Sequence, residues 1–230
     1  MGSIRRVLTM GEMHGRDLLR HHVALALLIL LPLSFYFSSA SESSEDAFVA
    51  GGVGMAFSIS GATLFSILSS REVDQRLVLS GYRPIELLLG RLLFLGPLGL
   101  VIAVGFATLM GAVSHPDRPL LLGFAVTMVA VQAVPFGLAV GAAVPRELEG
   151  TLVLIGVVGM QLAASPDATV SKLLPFYGPR RLIDAGASQH GAIAWPLVLT
   201  LVYGLALLVV ARLFVSQRVS VQRHEDLRPS

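Results

Sequence analysis

Leu92-Leu93-Phe94-Leu95-Gly96-Pro97-Leu98-Gly99-Leu100-Val101-Ile102-Ala103-Val104 runs on to Val113 without one charged side chain. About twenty such residues, wound as an α-helix, reach across the hydrocarbon of a bilayer. In that medium every backbone N–H and C=O must be satisfied within the element, and a helix does this for itself. Working outward, similar stretches fall at 23–40, 48–68, 120–144, 148–164 and 193–215, which with 92–113 makes six predicted spans. None alternates apolar and polar residues as a barrel strand would. The expected fold is therefore all-α, a polytopic membrane protein.

Composition agrees. The 230 residues are 54% hydrophobic and 14% charged, with a mean hydropathy of +0.74. A soluble domain carries about a quarter charged residues, and one 24.4 kDa core has no room for this apolar surplus. The pI of 9.4 reflects arginines in short clusters between apolar runs. That arrangement lacks the continuous basic face of a nucleic-acid binder. With no cysteine, disulfides, thiol catalysis and cysteine-ligated metals are excluded.

Arg and Lys concentrate in the loops that face the cytoplasm. One side holds Arg5, Arg6, Arg16, Arg20, Arg71, Arg76, Arg83, Arg91, Arg146, Arg212, Arg218, Arg223 and Arg228, thirteen of the 17 basic residues. The other holds Arg118, Lys172, Arg180 and Arg181, near the acids Glu42, Glu45 and Asp46. Both termini, including the 216–230 tail, are expected in the cytoplasm. The first span does not read as a signal peptide, since no small-residue cleavage site follows it.

Residues 1–22 read as an amphipathic helix lying on the membrane. Ile4, Val7, Leu8, Leu18 and Leu19 share one face and Arg5, Arg6, Glu12, Arg16, Asp17 and Arg20 the other. Gly11 and Gly15 weaken it near the apolar stripe. A positive leader that only sets orientation is the second reading.

The segment 69–86 joins spans two and three: Ser69-Ser70-Arg71-Glu72-Val73-Asp74-Gln75-Arg76-Leu77-Val78-Leu79-Ser80-Gly81-Tyr82-Arg83-Pro84-Ile85-Glu86. Ser69 and Glu72 have the spacing of a capping box, although span two could equally run through them. Val73 and Leu77 fall on one helical face. Gly81 suits the left-handed position that ends a helix, and Pro84 the first turn of the next. The result is a short charged helix held at the membrane surface by a tight turn. The plain alternative is a solvated loop that only fixes orientation.

This segment resembles that of the type-2 ABC-transporter permease family, the membrane-spanning subunits of ABC exporters. The resemblance is carried by the Arg71–Glu72 start, Leu77 and Leu79, the Gly81-to-Pro84 turn and Leu87-Leu88-Leu89-Gly90-Arg91-Leu92. Arg146-Glu147-Leu148-Glu149-Gly150 before span five and Leu174-Pro175-Phe176-Tyr177-Gly178-Pro179-Arg180-Arg181 before span six are also similar. It implies an ATP-driven exporter in the plasma (inner) membrane, working as a homodimer or with a sister permease. A separate nucleotide-binding ATPase subunit, which holds ATP and Mg, would dock on Arg71, Glu72, Val73, Asp74, Arg76, Leu77, Gly81 and Arg83. The outer segment 165–192 would be re-entrant, with Pro175, Phe176, Tyr177, Arg180 and Arg181 closing the exit.

No ATPase is legible in the chain itself: the sole lysine, Lys172, lies between Ser171 and Leu173, not in a phosphate-binding loop. The six histidines lie at or beyond the span ends, and His224-Glu225 has no second histidine four residues on. No catalytic or metal-binding group is expected, and the chain is not read as an enzyme. The inner stretches of the spans hold no Asp, Glu, Lys, Arg or His, only Gln132 and Gln161 as strong polar groups. This disfavours ion coupling. Gly137 and Gly141 mark a helix contact. Ser60, Thr63 and Ser66 form a hydroxyl stripe that, with Gln161, either lines a cargo path or packs helices. The cargo expected is apolar or amphipathic: a lipid, peptide or drug-like molecule. Two other readings are the substrate-binding membrane subunit of an energy-coupling-factor importer and a haem-exporter-like subunit.

Single cysteines test the orientation in this cysteine-free chain. At Ser44 and His190 they are expected to react with an impermeant maleimide in intact cells, and at Gln75 and Ser220 only after lysis. Outside labelling of Gln75→Cys contradicts the orientation.

Overall fold

The computed structural model describes residues 5–12, 15, 22–41, 43–165, 167–188 and 191–225, with no side-chain detail at 23, 24 and 218–225. Among these the chain is all-helical, without a strand. A helical stretch over 5–12 (α1) precedes α2 (His22–Ser39), α3 (Ser44–Ser69), α4 (Arg71–Leu79) and α5 (Pro84–Ser114). Then come α6 (Pro119–Ala143), α7 (Glu147–Ala163), α8 (Thr169–Leu173), α9 (Tyr177–Ala187) and α10 (Ala194–Glu225). Among the described residues four helices are long and apolar enough to cross a membrane: α3, α5, α6 and the Ala194–Gln217 part of α10. This is the build of a membrane-embedded protein. The other two expected spans correspond to the shorter α2 and α7, of 18 and 17 residues.

α6 is the centre of the bundle, touching α3, α5, α7, α9 and α10, while α2 packs on α3. α6 is apolar all round and buried through most of its second half, as suits a helix ringed by others. Small residues set the closest crossing. Gly137 lies on the Ser60 carbonyl and Thr63, and Gly141 on Leu64 and Ile67. Ser60 Oγ donates to the Ala133 carbonyl at 3.0 Å across the same seam. With no water to compete, close backbone approach and such hydrogen bonds are what hold apolar helices together. Elsewhere Tyr36, fully buried, joins three helices: its ring packs between Phe48 and Phe106 and its hydroxyl pairs with Ser114. By contrast α5, α7 and α10 keep one face of exposed Leu and Val, among them Leu93, Val101, Leu152, Leu201 and Leu205.

One boundary differs from the sequence expectation. Span three begins at Pro84 rather than residue 92, so Glu86 and Arg91 belong to the helix and are buried at 3% and 1% exposure. The spans are thus not free of ionisable groups. Hydropathy stops at a charge; the helix does not, because partners from α1 and α4 compensate these two.

α1 packs across the first turns of α5, with Met10 buried. A Cβ on Gly90 would lie 2.6 Å from that of Met10, and one on Gly15 2.7 Å from the Phe94 ring. The glycines expected to weaken the N-terminal helix are its contact surface, while Leu8 points outward. Ile4, Leu18, Leu19, Arg16, Arg20 and Arg228 lie outside the described residues.

Gly137→Val forces a branched side chain against the Ser60 carbonyl, and overpacking of this kind costs about 1–3 kcal/mol. Gly156, with nothing near its Cβ position, provides the control. In thermal unfolding followed by Trp195 fluorescence, Gly137→Val is expected to melt earlier and Gly156→Ala at or above the wild-type temperature.

Candidate functional site

The turn between α3 and α5 forms by local rules. α3 ends at Ser69, and the hydroxyls of Ser69 and Ser70 donate back to the Phe65 and Ser66 carbonyls. The Ser69–Glu72 capping box does not form; α3 runs to the edge of α4 as the second reading allowed. At the other end of α4 the N–H of Tyr82 bonds Leu77 O and that of Gly81 bonds Val78 O, each at 3.0 Å. That pair closes a helix through a left-handed residue, and Gly81 has φ +96°. Pro84 then opens α5, with Glu86 accepting from the Arg83 N–H at 3.0 Å.

Side chains from distant helices pin this turn. Buried Arg91 donates to Asp74 Oδ2 at 2.6 Å and to the Ser70 hydroxyl. The guanidinium of Arg71 donates to the carbonyls of Val144 and Pro145, and to Gly141 O at 3.3 Å. These are among the carbonyls a helix leaves unsatisfied at its C-terminus, where a cation also meets the negative end of the helix dipole. On the α1 side, Arg6 donates to Gly81 O at 2.9 Å, lies 3.8 Å from Glu86 and sits over the Tyr82 ring at 5.2 Å.

What α4 leaves outward follows from that pinning. Glu72, Val73, Gln75, Arg76 and Leu79 are exposed, Val73 at 47% and Leu79 at 73%, and no residue of α4 is buried. Leu77 is half-buried, and Gly81 and Arg83 are exposed. Arg71 and Asp74, expected among the docking residues, turn inward and hold α4 to α6 and α5.

A second polar locus lies where α7 stops. Arg180, on α9, donates to the Gln161 carbonyl and to Ala164 O at 3.0 Å, capping the α7 C-terminus from a separate helix. Its neighbour Arg181 pairs with Asp167 at 3.0 Å and lies 5.8 Å from the Tyr177 ring. α9 lies along α6: Phe176 meets Phe136 edge-on at 5.3 Å, while Gly186 packs on the backbone of Leu122 near the start of α6. Gly178 packs against Pro196 and Thr200 of α10. Pro175 is half-buried, and Phe176 and Tyr177 are buried. Trp195, at the start of α10, is 64% exposed.

The path candidates separate. Ser60 and Thr63 are buried and bonded to the Ala133 and Ile59 carbonyls, at the α3–α6 seam. Ser66 is half-buried one turn further on. Gln161 lines a small pocket between α3, α7 and α9. Among the described residues no group of acids and histidines could hold a metal ion. No family model matches the chain, and no curated protein does.

Sequence reading missed Arg6, Glu86 and Arg91 as members of the turn. The signal was present for one of them: a charge inside a leucine-rich helix needs a partner. Breaking a buried ion pair by removing one side costs about 3–5 kcal/mol. Arg91→Leu is expected to raise amide exchange across 71–79 and lower the melting temperature, and Asp74→Leu added to it to restore part of both. Unchanged exchange in Arg91→Leu contradicts the latch.

Proposed function

We propose that this chain is the membrane-spanning permease subunit of an ATP-driven ABC exporter, powered by a separate ATPase subunit that binds ATP and Mg. In this reading α2, α3, α5, α6, α7 and α10 are six spans in the plasma membrane, and both termini face the cytoplasm. Two copies, or one copy and a sister permease, complete the transmembrane unit. The cargo is apolar or amphipathic.

One observation supports the reading best: α4 is a short helix latched on its inner side by Arg71 and Arg91, with Arg6 holding the turn that follows it, and open on its outer side. A loop that merely set orientation would need neither a rigid capped helix nor buried ion pairs behind it. The latch gives mechanics to docking. A push on α4 passes through Arg91–Asp74 to α5, through Arg71 to the end of α6, and through Arg6 to α1. α5 and α6 pack on each other and α6 on the rest of the bundle, so movement of the turn reaches every span. Val73, Leu77 and Leu79 are the apolar groups that a partner's groove would take, with Glu72 and Arg76 at its rim.

Buried anchors at interfaces typically cost ~2 kcal/mol or more when truncated, and rim charges less. Val73→Ala with Leu77→Ala is therefore expected to weaken ATPase association or cargo-stimulated hydrolysis in proteoliposomes by at least tenfold, with the permease still folded. Charge reversal at Glu72 should act less and depend on salt. A double mutant with wild-type coupling removes the reason for calling this chain a permease.

A further inference from the structure

α2 carries a proline inside it, Pro32. Proline has no N–H, so the carbonyl four residues before it loses its helical partner. For Pro32 that carbonyl is Leu28 O, and the Ser58 hydroxyl of α3 donates to it at 2.8 Å. Both residues are buried. Thr63 and Ser69, on the same helix as Ser58, turn back to the carbonyls of Ile59 and Phe65. Ser58 reaches across to α2 instead, and a hydroxyl from a neighbouring helix is what makes a proline tolerable in an apolar surround. One turn away, α2 and α3 meet at the proline itself: a Cβ on Gly54 would lie 3.0 Å from Pro32 Cα and 2.9 Å from Phe35 Cβ. The two halves of α2 are held differently. After the proline, buried Tyr36 ties the helix to Phe48 of α3 and to Phe106 and Ser114 of α5. Before it, Ala26, Leu27, Ile29 and Leu30 are exposed, with Leu28 buried among them.

We propose that α2 is jointed at Pro32, and that the bond from Ser58 to Leu28 O is the clasp that holds residues 22–31 against α3. Gly54 is the fulcrum and Tyr36 the anchor of the fixed half. When the clasp opens, Ser58 has a second acceptor in Gly54 O, four residues back on its own helix. Leu28 O has no second donor within α2, because the N–H that would serve it is the one proline lacks. The closed arrangement is therefore favoured by one hydroxyl, and the joint yields where that hydroxyl lets go. From His22 to Leu31 the moving arm is about 15 Å long, and a bend of about 20° at the proline carries its start by about 5 Å. The joint does not need the permease reading. That reading adds only a drive: α1, tied to the docking turn by Arg6, leads along the chain into the moving half.

The test uses the full-length chain in nanodiscs, spin-labelled at pairs of introduced cysteines and read by double electron–electron resonance. His22→Cys with Phe65→Cys spans the moving half and α3, and Phe37→Cys with Val113→Cys spans the fixed half and α5; all four positions are exposed. With Ser58 in place, one 22–65 distance is expected. Ser58→Ala is expected to add a second population displaced by about 5 Å, with the 37–113 distance unchanged. Pro32→Ala returns the N–H that Leu28 O needs, so adding it to Ser58→Ala is expected to abolish that second population. An unchanged 22–65 distance in Ser58→Ala overturns the joint, and so does a second population that persists beside Pro32→Ala. A shift of the 37–113 distance in Ser58→Ala also overturns it, since α2 then leaves α3 as one piece. None of these outcomes bears on the docking turn or its mutants.

Discussion

A helix leaves its last carbonyls without partners of its own, and a side chain from elsewhere in the chain can supply them. This constraint shapes both polar regions of the molecule. Arg71 reaches from the start of α4 to the end of α6, and Arg180 reaches from α9 to the end of α7. Each guanidinium offers a fixed fork of donors that suits several carbonyls at once, which an ammonium would serve less well. The single lysine, Lys172, is exposed and takes neither role.

The two capped ends differ in consequence. At α6 the cap ties a surface helix to the centre of the bundle, and Arg91 with Asp74 repeats the tie one helix over. The turn is rigid inward and free outward, as a lever must be. At α7 the cap terminates a helix of 17 residues early, and α9 completes the layer along α6 from a different part of the chain. The break lies beside Gln161, a buried side chain whose amide has no hydrogen-bond partner.

The features legible in the sequence were those fixed by neighbours in the chain. The Gly81–Pro84 turn follows from a positive φ that glycine adopts without strain and a φ that proline presets, and both stand where they were expected. The Gly137–Gly141 contact followed from size alone. Span three was placed late because Arg91 and Glu86 read as loop charges. Their partners sit at Asp74 and Arg6, too far along the chain for any periodicity to connect. The shortness of span five was visible, but its cause was not: Arg180 lies nineteen positions from the carbonyl of Gln161 that it caps. The hydroxyls of Ser60 and Thr63 fitted a path or, more commonly, a packing seam, and α6 lies against them.

The central claim is that the outward face of α4 meets a separate ATPase. The most direct measurement places a photo-crosslinking amino acid at Gln75, exposed on that helix, and isolates the chain from its native membrane after illumination. The account predicts one crosslinked partner that hydrolyses ATP, and its loss when the crosslinker is moved to Leu152 on the exposed face of α7. Crosslinks at position 75 only to lipid or to other copies of the chain, with no ATP hydrolysis in the isolated material, would contradict it.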